Sequence, residues 1–209
     1  MTLKKKISLA IIPARGGSKR LRRKNIRKIE NHPLIAYTIN AVKKTKQLDY
    51  WLLSSDDDEI INVGKKYGAP IYFKRPKEIS GAKVRNSETL IHALNFMENK
   101  FKVNIDIIVL LHPTSPIRDP KHIDKAVKLL SNSKLNTLAS IKGPYKKRDP
   151  ILKKKDNYGN IVDLNRLTKK NNDEFYMYNA SIYAVKKNYL LKNKKFTSNK
   201  EIPLLMNFL

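Results

Sequence analysis

Apolar positions fall into short blocks separated by stretches with helical spacing. Residues 7–12 form a nearly continuous apolar run that predicts a buried first strand. Leu34, Ile35, Ile39 and Val42 then recur on one helical face, with Pro33 suited to open that helix. Residues 51–53 predict a second strand. The cluster Asp56, Asp57, Asp58 and Glu59 places negative charge at the start of a helix carrying Ile60, Val63 and Tyr67, and Gly68 ends it. Residues 71–73 read as a short strand, a loop passes through Pro76 and Gly81, and residues 87–97 put Leu90, Ala93, Leu94 and Met97 on one helical face.

The strongest strand signal lies at 105–111, whose unbroken apolar character predicts a central position covered on both sides. Pro120 opens a further helix with Ile123, Ala126, Val127 and Leu130 aligned, and residues 138–141 are another strand. Such alternation predicts a three-layer α/β fold with a mostly parallel sheet, in which ligands bind beyond the C-terminal strand ends. The loops at 13–25 and 112–118 both follow strands, so they belong on one edge of that sheet. After Gly143 the texture changes: 151–155 and 161–164 flank a turn through Asn157 and Gly159 and predict a small antiparallel excursion. A strand at 181–185 and a short helix near 188–191 follow. The whole of 1–209 reads as one domain without internal repeats.

Composition narrows the function classes. Hydrophobic residues make up 41 % of the 209 residues, enough for one substantial core. There is no cysteine, which excludes a disulfide scaffold, a thiolate metal site and a cysteine nucleophile, and suits a reducing cytoplasm. No apolar run reaches the eighteen or more residues of a membrane helix, and the N-terminal run is cut short by Pro13 and Arg15, so neither a membrane span nor a signal peptide is expected. The formal charge of +26, from 44 Lys and Arg against 18 Asp and Glu, suits a nucleic-acid or anionic-surface binder. The excess is nevertheless spread from Lys4 to Lys200 and is mostly lysine accompanied by Asn and Ile, which biased genome composition also produces.

The loop after the first strand is the chemical signal. It carries Arg15, Gly16, Gly17, Ser18 and Lys19, then Lys24 and Asn25. Two glycines allow a tight turn with inward N–H groups that an anion can accept. Arg15 can clamp phosphate oxygens, Lys19 and Lys24 can act as point charges on a triphosphate, and Ser18 is a small donor. Neither GxGxxG nor GxxxxGK[ST] is present, so this is not a dinucleotide fingerprint or a Walker loop. The alternative is a solvated basic loop whose glycines serve only a turn.

The segment IleIleProAlaArgGlyGlySerLysArg at 11–20, with Lys24, Asn25 and HisProLeuIleAlaTyrThrIle at 32–39, resembles the opening of the acylneuraminate cytidylyltransferases. The resemblance continues through SerSerAspAspAspGluIle at 54–60, Arg75–Pro76, SerGluThrLeuIleHisAlaLeu at 87–94, LeuLeuHisProThrSerProIleArg at 110–118 and TyrAsnAlaSerIleTyr at 178–183. It implies a Rossmann-like nucleotidyltransferase fold and transfer of CMP from CTP to the anomeric hydroxyl of a nine-carbon 2-keto sugar acid, with release of pyrophosphate. It also implies Arg15, Lys19 and Lys24 as catalytic groups. Arg15, Gly16, Gly17, Ser18, Lys19, Lys24, Asn25, Arg75, Asn86, Ser87 and His112 would bind nucleotide, and Arg166, Tyr178 and Asn179 the sugar acid. Gln is usual in the family where this chain has His112; a neutral imidazole can still donate and accept. Magnesium is implied as cofactor, and residues 144–180 as a protruding segment that completes a homodimer.

Family members continue beyond the ProLeuLeuMetAsnPheLeu region into an Asp-x-Asp strand that holds the metal. With Leu209 as the last residue, the expectation is a chain truncated at its C-terminus, lacking the principal metal ligands and impaired in catalysis. A synthetase for another keto acid, a nucleotide-binding remnant and an RNA-binding module are the competing readings. The last lacks the aromatic pairs of an RRM and the GXXG clamp of a KH domain.

Overall fold

The computed structural model describes residues 5–18, 21–145, 153–156, 158–163 and 175–206. In chain order the elements are β1 (Ser8–Pro13), β2 (Lys28–Ile29), β3 (His32–Pro33), α1 (Leu34–Lys43), β4 (Tyr50–Ser54), α2 (Asp58–Lys66), α3 (Asn86–Phe101), β5 (Ile107–Leu110), α4 (Pro120–Ser131), β6 (Thr137–Tyr145), β7 (Lys153–Lys155), β8 (Ile161–Asp163), β9 (Phe175–Lys186), α5 (Lys187–Asn193) and β10 (Lys200–Leu205). Eight of the strands form one sheet in the order β4-β1-β5-β9-β6-β10-β8-β7, and β2 and β3 pair separately.

Strand β1 runs parallel to β4 and to β5, and β10 runs parallel to β6. The long β9 is antiparallel to both β5 and β6, between which it lies. The α/β expectation with a mostly parallel sheet therefore holds, with β9 as a reversed strand inside it. The antiparallel excursion is present as β7 against β8, which also touches β9 and β10.

Alternation along β1 explains the three layers. Ala10 and Ile12 point to one face, where Ile35, Ile39 and Val42 of α1, Ile60 of α2 and Ile123, Ala126, Val127 and Leu130 of α4 cover them. Leu9 and Ile11 point to the other, against Leu90, Ala93, Leu94 and Met97 of α3 and Leu190 of α5. All four residues of β5 are buried, as expected of a strand covered on both sides.

Helix ends follow the residue types. The Asp57 carboxylate accepts the Ile60 N–H at 3.0 Å and caps α2, while Asp58 and Glu59 sit in its first turn. Asp119 caps α4 through the Lys121 N–H at 2.8 Å, with Pro120 as its first residue. Pro33 belongs to β3 and precedes α1 rather than opening it.

One expectation is corrected, and one strand was not foreseen. Residues 71–73 are not a strand. Between Pro70 and Pro76 the backbone bonds to β4 through Leu53 N–H to Pro70 O (3.0 Å) and to the residue just after it through Arg75 N–H to Ser55 O (2.8 Å), without a strand ladder. Its aromatic rings pack on α3 instead, with Phe73 4.7 Å from His92 and 4.8 Å from Phe96 between ring centroids. Conversely, the apolar stretch near the C-terminus is β10, held beside β6 with Met206 N–H bonded to Ile141 O at 2.9 Å.

Candidate functional site

Because β1, β4 and β5 run in one direction, the chain leaves all three at the same edge of the sheet. There the loops after β1 and β5, the segment 79–84 and the first turn of α3 enclose a cleft of about 530 Å³. Arg15, Ser18, Lys24, Asn25, Arg75, Asn86 and His112 line it, joined by Thr89, Thr114 and the 79–84 wall. Seven expected nucleotide residues, dispersed over nearly a hundred positions, thus meet in one place. Lys19 lies outside the described residues, as does Arg166.

The loop is braced from beneath. Asn25 is buried and its amide donates to Arg15 O at 3.1 Å, fixing the backbone that presents Arg15. Arg15 reaches across the cleft, donating to Gly81 O at 3.0 Å. Gly16 N–H donates to the Asp56 carboxylate at 3.2 Å. Neither Gly16 nor Gly17 has a left-handed backbone, yet the expected tight turn is present: the chain bends at Gly16 and Ser18 N–H donates back to Gly16 O at 2.8 Å. Gly16 is required for close approach: an added Cβ would lie 2.4 Å from Asp57 Oδ2. Around Gly17 there is open space.

Arg75 is 4 % exposed and fills the floor of the cleft. It donates to Asp56 at 3.2 Å, Ser80 Oγ at 3.0 Å and Thr89 Oγ1 at 3.4 Å. Burial lowers its pKa, and the Asp56 carboxylate opposes that shift. Asp56 was expected only to help start α2; it is a bridge between the loop and Arg75. The Glu88 carboxylate accepts Arg85 N–H at 3.0 Å, which fixes the start of α3 and so Asn86. Ser87 is buried beside it and does not line the cleft.

His112 stands on the opposite wall with its ring edge toward Tyr183, 6.2 Å between centroids. Burial, then the charges of Arg118 and Lys24, push its pKa down to about 4. The ring is therefore neutral at physiological pH, with one donor and one acceptor nitrogen. Neither has a hydrogen-bond partner among the described residues.

The two described sugar-acid candidates do not line this cleft. Asn179 spends its amide inside the sheet, its Oδ1 accepting from Ser140 Oγ and from Ser181 N–H at 3.0 Å. Tyr178 OH donates to the buried carboxylate of Glu201, whose pKa is raised by burial. Sequence reasoning missed the 79–84 wall, Thr89 and Asp56. Only the loop signal around Gly81 hinted at the first.

Magnesium, implied by the resemblance, does not find a site built by the described residues. No three His, Asp or Glu side chains converge among them. The carboxylates that meet the loop are already engaged, Asp56 with Arg75 and Gly16 N–H, and Asp57 with Ile60 N–H.

A family model described as Cytidylyltransferase matches residues 9–207. The chain belongs to the cytidylyltransferase family. It is 33 % identical to CMP-N,N'-diacetyllegionaminic acid synthase of Legionella pneumophila, covering 95 % of this chain and 86 % of that protein. It is 30 % identical to N-acylneuraminate cytidylyltransferase of Escherichia coli over 95 % of this chain and 47 % of that one. Among solved structures, CMP:2-keto-3-deoxy-manno-octonic acid synthetase complexed with CTP has the same fold, with a TM-score of 0.74, 14 % identity, and coverage of 96 % of this chain and 90 % of the other. Among the described residues, no helix is long and apolar enough to cross a membrane.

Proposed function

We propose that the chain transfers CMP from CTP to the anomeric hydroxyl of a nine-carbon 2-keto sugar acid. The observation that carries this reading is the convergence of Arg15, Ser18, Lys24, Asn25, Arg75, Asn86 and His112 on one cleft at the C-terminal strand edge of a cytidylyltransferase fold. The sugar-acid class is supported by the relatives that act on legionaminic and N-acylneuraminic acids.

In the proposed reaction the anomeric oxygen forms a bond to the α-phosphorus, the bond to the β-phosphate oxygen breaks, and pyrophosphate leaves. The hydroxyl proton is released to solvent. Such a transfer depends on positioning and on neutralising phosphate charge more than on a covalent nucleophile. Arg15 and Lys24 supply positive charge on the loop side, with Lys19 proposed as a third cation. Arg75, Asn86 and the neutral His112 supply directional contacts for base and ribose. Arg166, Tyr178 and Asn179 remain the proposed sugar-acid side, Gly16, Gly17 and Ser87 parts of the nucleotide loop and its support.

A magnesium requirement belongs to the proposal, although no step above runs through the ion. So do a cytoplasmic location and a homodimer formed through 144–180, where Tyr158 is 85 % exposed on the β7–β8 excursion. Nucleic acid is not a proposed partner.

The test is CTP binding, followed by a pyrophosphate and CMP-sugar assay over legionaminic, pseudaminic, N-acetylneuraminic and shorter 3-deoxy keto acids, with and without magnesium. Product from a nine-carbon acid is expected. Binding without turnover for any acid points to an impaired chain, and absence of CTP binding overturns the reading. Arg15→Ala is expected to weaken CTP by about tenfold or more, the scale of a lost charge-assisted phosphate contact; an unaltered Kd refutes the loop assignment.

A further inference from the structure

Arg118 is a buried cation beside the cleft, and the proposed reaction does not use it. It is 6 % exposed. Its Nε donates to Ser181 O at 3.1 Å and Ser181 Oγ at 3.2 Å, Nη1 to Thr38 Oγ1 at 3.0 Å, and Nη2 to Ser181 O at 2.6 Å and His112 O at 3.0 Å. Every acceptor is neutral, and no carboxylate pairs with it among the described residues. Thr38 of α1 and Ser181 of β9 are themselves buried, so four of these five contacts are anchors in the core. The fifth is the carbonyl of a residue that lines the cleft.

We propose that Arg118 is a positioning residue for nucleotide binding, tying the His112 wall of the cleft to β9 and α1. This inference rests on the reading of the cleft as a CTP site. Two physical points separate it from plain core packing. An unpaired buried cation is costly, and an apolar side chain of similar volume fills a core without that cost. In addition, only a planar fork with donors on three nitrogens spans acceptors on α1, β9 and the β5 loop together; a lysine ammonium is one point charge. The guanidinium also disfavours a proton on His112, and so helps keep the ring as one donor and one acceptor. Arg118 itself is lowered by burial only to about 10 and stays charged at neutral pH.

The test uses the full chain with Arg118→Lys and Arg118→Gln, each checked for folding by its melting transition. CTP affinity is measured by calorimetry, and the His112 ring titration is followed by NMR without nucleotide. Both variants are expected to weaken CTP by about tenfold, raising KM for CTP more than they lower kcat. The His112 titration should move upward from its depressed value, further in Arg118→Gln than in Arg118→Lys. Folded variants with wild-type CTP affinity overturn the proposal. Loss of affinity with an unmoved His112 titration overturns it too, since that pattern is plain core damage.

Should neither variant fold, Thr38→Val removes one anchor while keeping the volume. It is expected to weaken CTP by about two- to tenfold, the range for one lost hydrogen bond, and unchanged affinity is the refuting result. Failure of the wild-type chain to bind CTP refutes the parent reading instead. The His112 titration then still decides whether Arg118 governs that wall.

Discussion

Gly16→Ala tests how the loop after β1 is built. The added Cβ would stand 2.4 Å from Asp57 Oδ2, 2.8 Å from Asp57 Cβ and 3.0 Å from its Cγ, so something must move. Asp57 cannot swing away freely, because its other oxygen accepts the Ile60 N–H at 3.0 Å and caps α2. Losing that cap costs about 1 kcal/mol. Moving the loop instead breaks the 3.2 Å bond from Gly16 N–H to Asp56 and displaces Arg15 and Ser18 at the cleft. Either route costs about 1–3 kcal/mol, the usual range for overpacking, or on the order of 2–12 °C in Tm for a chain of this size. Thermal melts and CTP titration of the purified variant provide the readout. Gly17→Ala is the control: nothing lies within 4 Å of its added Cβ, and the expected effect runs from neutral to about 1 kcal/mol of stabilisation. In an Asp57→Gly background the side-chain cap is already gone and the Oδ2, Cγ and Cβ contacts are all removed, so Gly16→Ala should add little, and the double-mutant cycle should show strong coupling. A Gly16→Ala melt equal to wild type, or a cost undiminished by Asp57→Gly, would refute the close-packing argument.

His112 carries a pH prediction whose sign follows from its depressed pKa. The unfolded chain takes up a proton near the ordinary value of 6.5 and the folded ring only near about 4, so stability is complete above the first value and is lost as pH falls toward the second. Urea midpoints should therefore drop more between pH 7 and 5 in the wild type than in His112→Gln; parallel behaviour sinks the assignment. Asp56→Asn leaves the buried Arg75 charge without its carboxylate and should destabilise by about 1–3 kcal/mol in urea unfolding, with partial recovery when Arg75→Gln is added. No loss of stability in the single variant would show that Asp56 does not serve as the bridge.

Much of the fold is legible because β1, β4, β5 and the four longer helices carry strong local periodicity, and the starts of α2 and α4 are set by the aspartates that cap them. What the sequence conceals is non-local. The reversal of β9 depends on which neighbours it meets, since an apolar strand reads alike in either direction. Residues 71–73 have strand-like composition, yet Tyr72 and Phe73 gain more by packing on α3 than by pairing. For the cleft, the basic loop could be found because its residue types are matched to phosphate, whereas Arg75, Asn86 and His112 are pointed to by the family resemblance. Asp56 could not be separated from its neighbours Asp57 and Asp58, because only the folded chain shows that one carboxylate turns to Arg75 while the next caps a helix.

The same reasoning changes the meaning of the +26 charge. Surface lysines more than about 8–10 Å from a ligand are largely screened at physiological salt, so their number says little about a binding site. Within the cleft the balance is far smaller. Arg75 is paired with Asp56, and Arg15 is held by the neutral carbonyl of Gly81. Lys24 has no ion-pair partner among the described residues. On the proposed reading, Arg15 and Lys24 are thus the cations that an incoming triphosphate engages without displacing a carboxylate, and they flank the loop from opposite ends. In the proposed CTP site, specificity for a nucleotide over a generic polyanion rests on the uncharged features of the lining: the Asn86 amide, the neutral His112 ring and the wall at 79–84. A nucleic-acid surface would need the excess charge to be gathered and open; here the described cations of the cleft are Arg15, Lys24 and Arg75, and two of the three are already paired with a carboxylate or turned toward a neutral carbonyl.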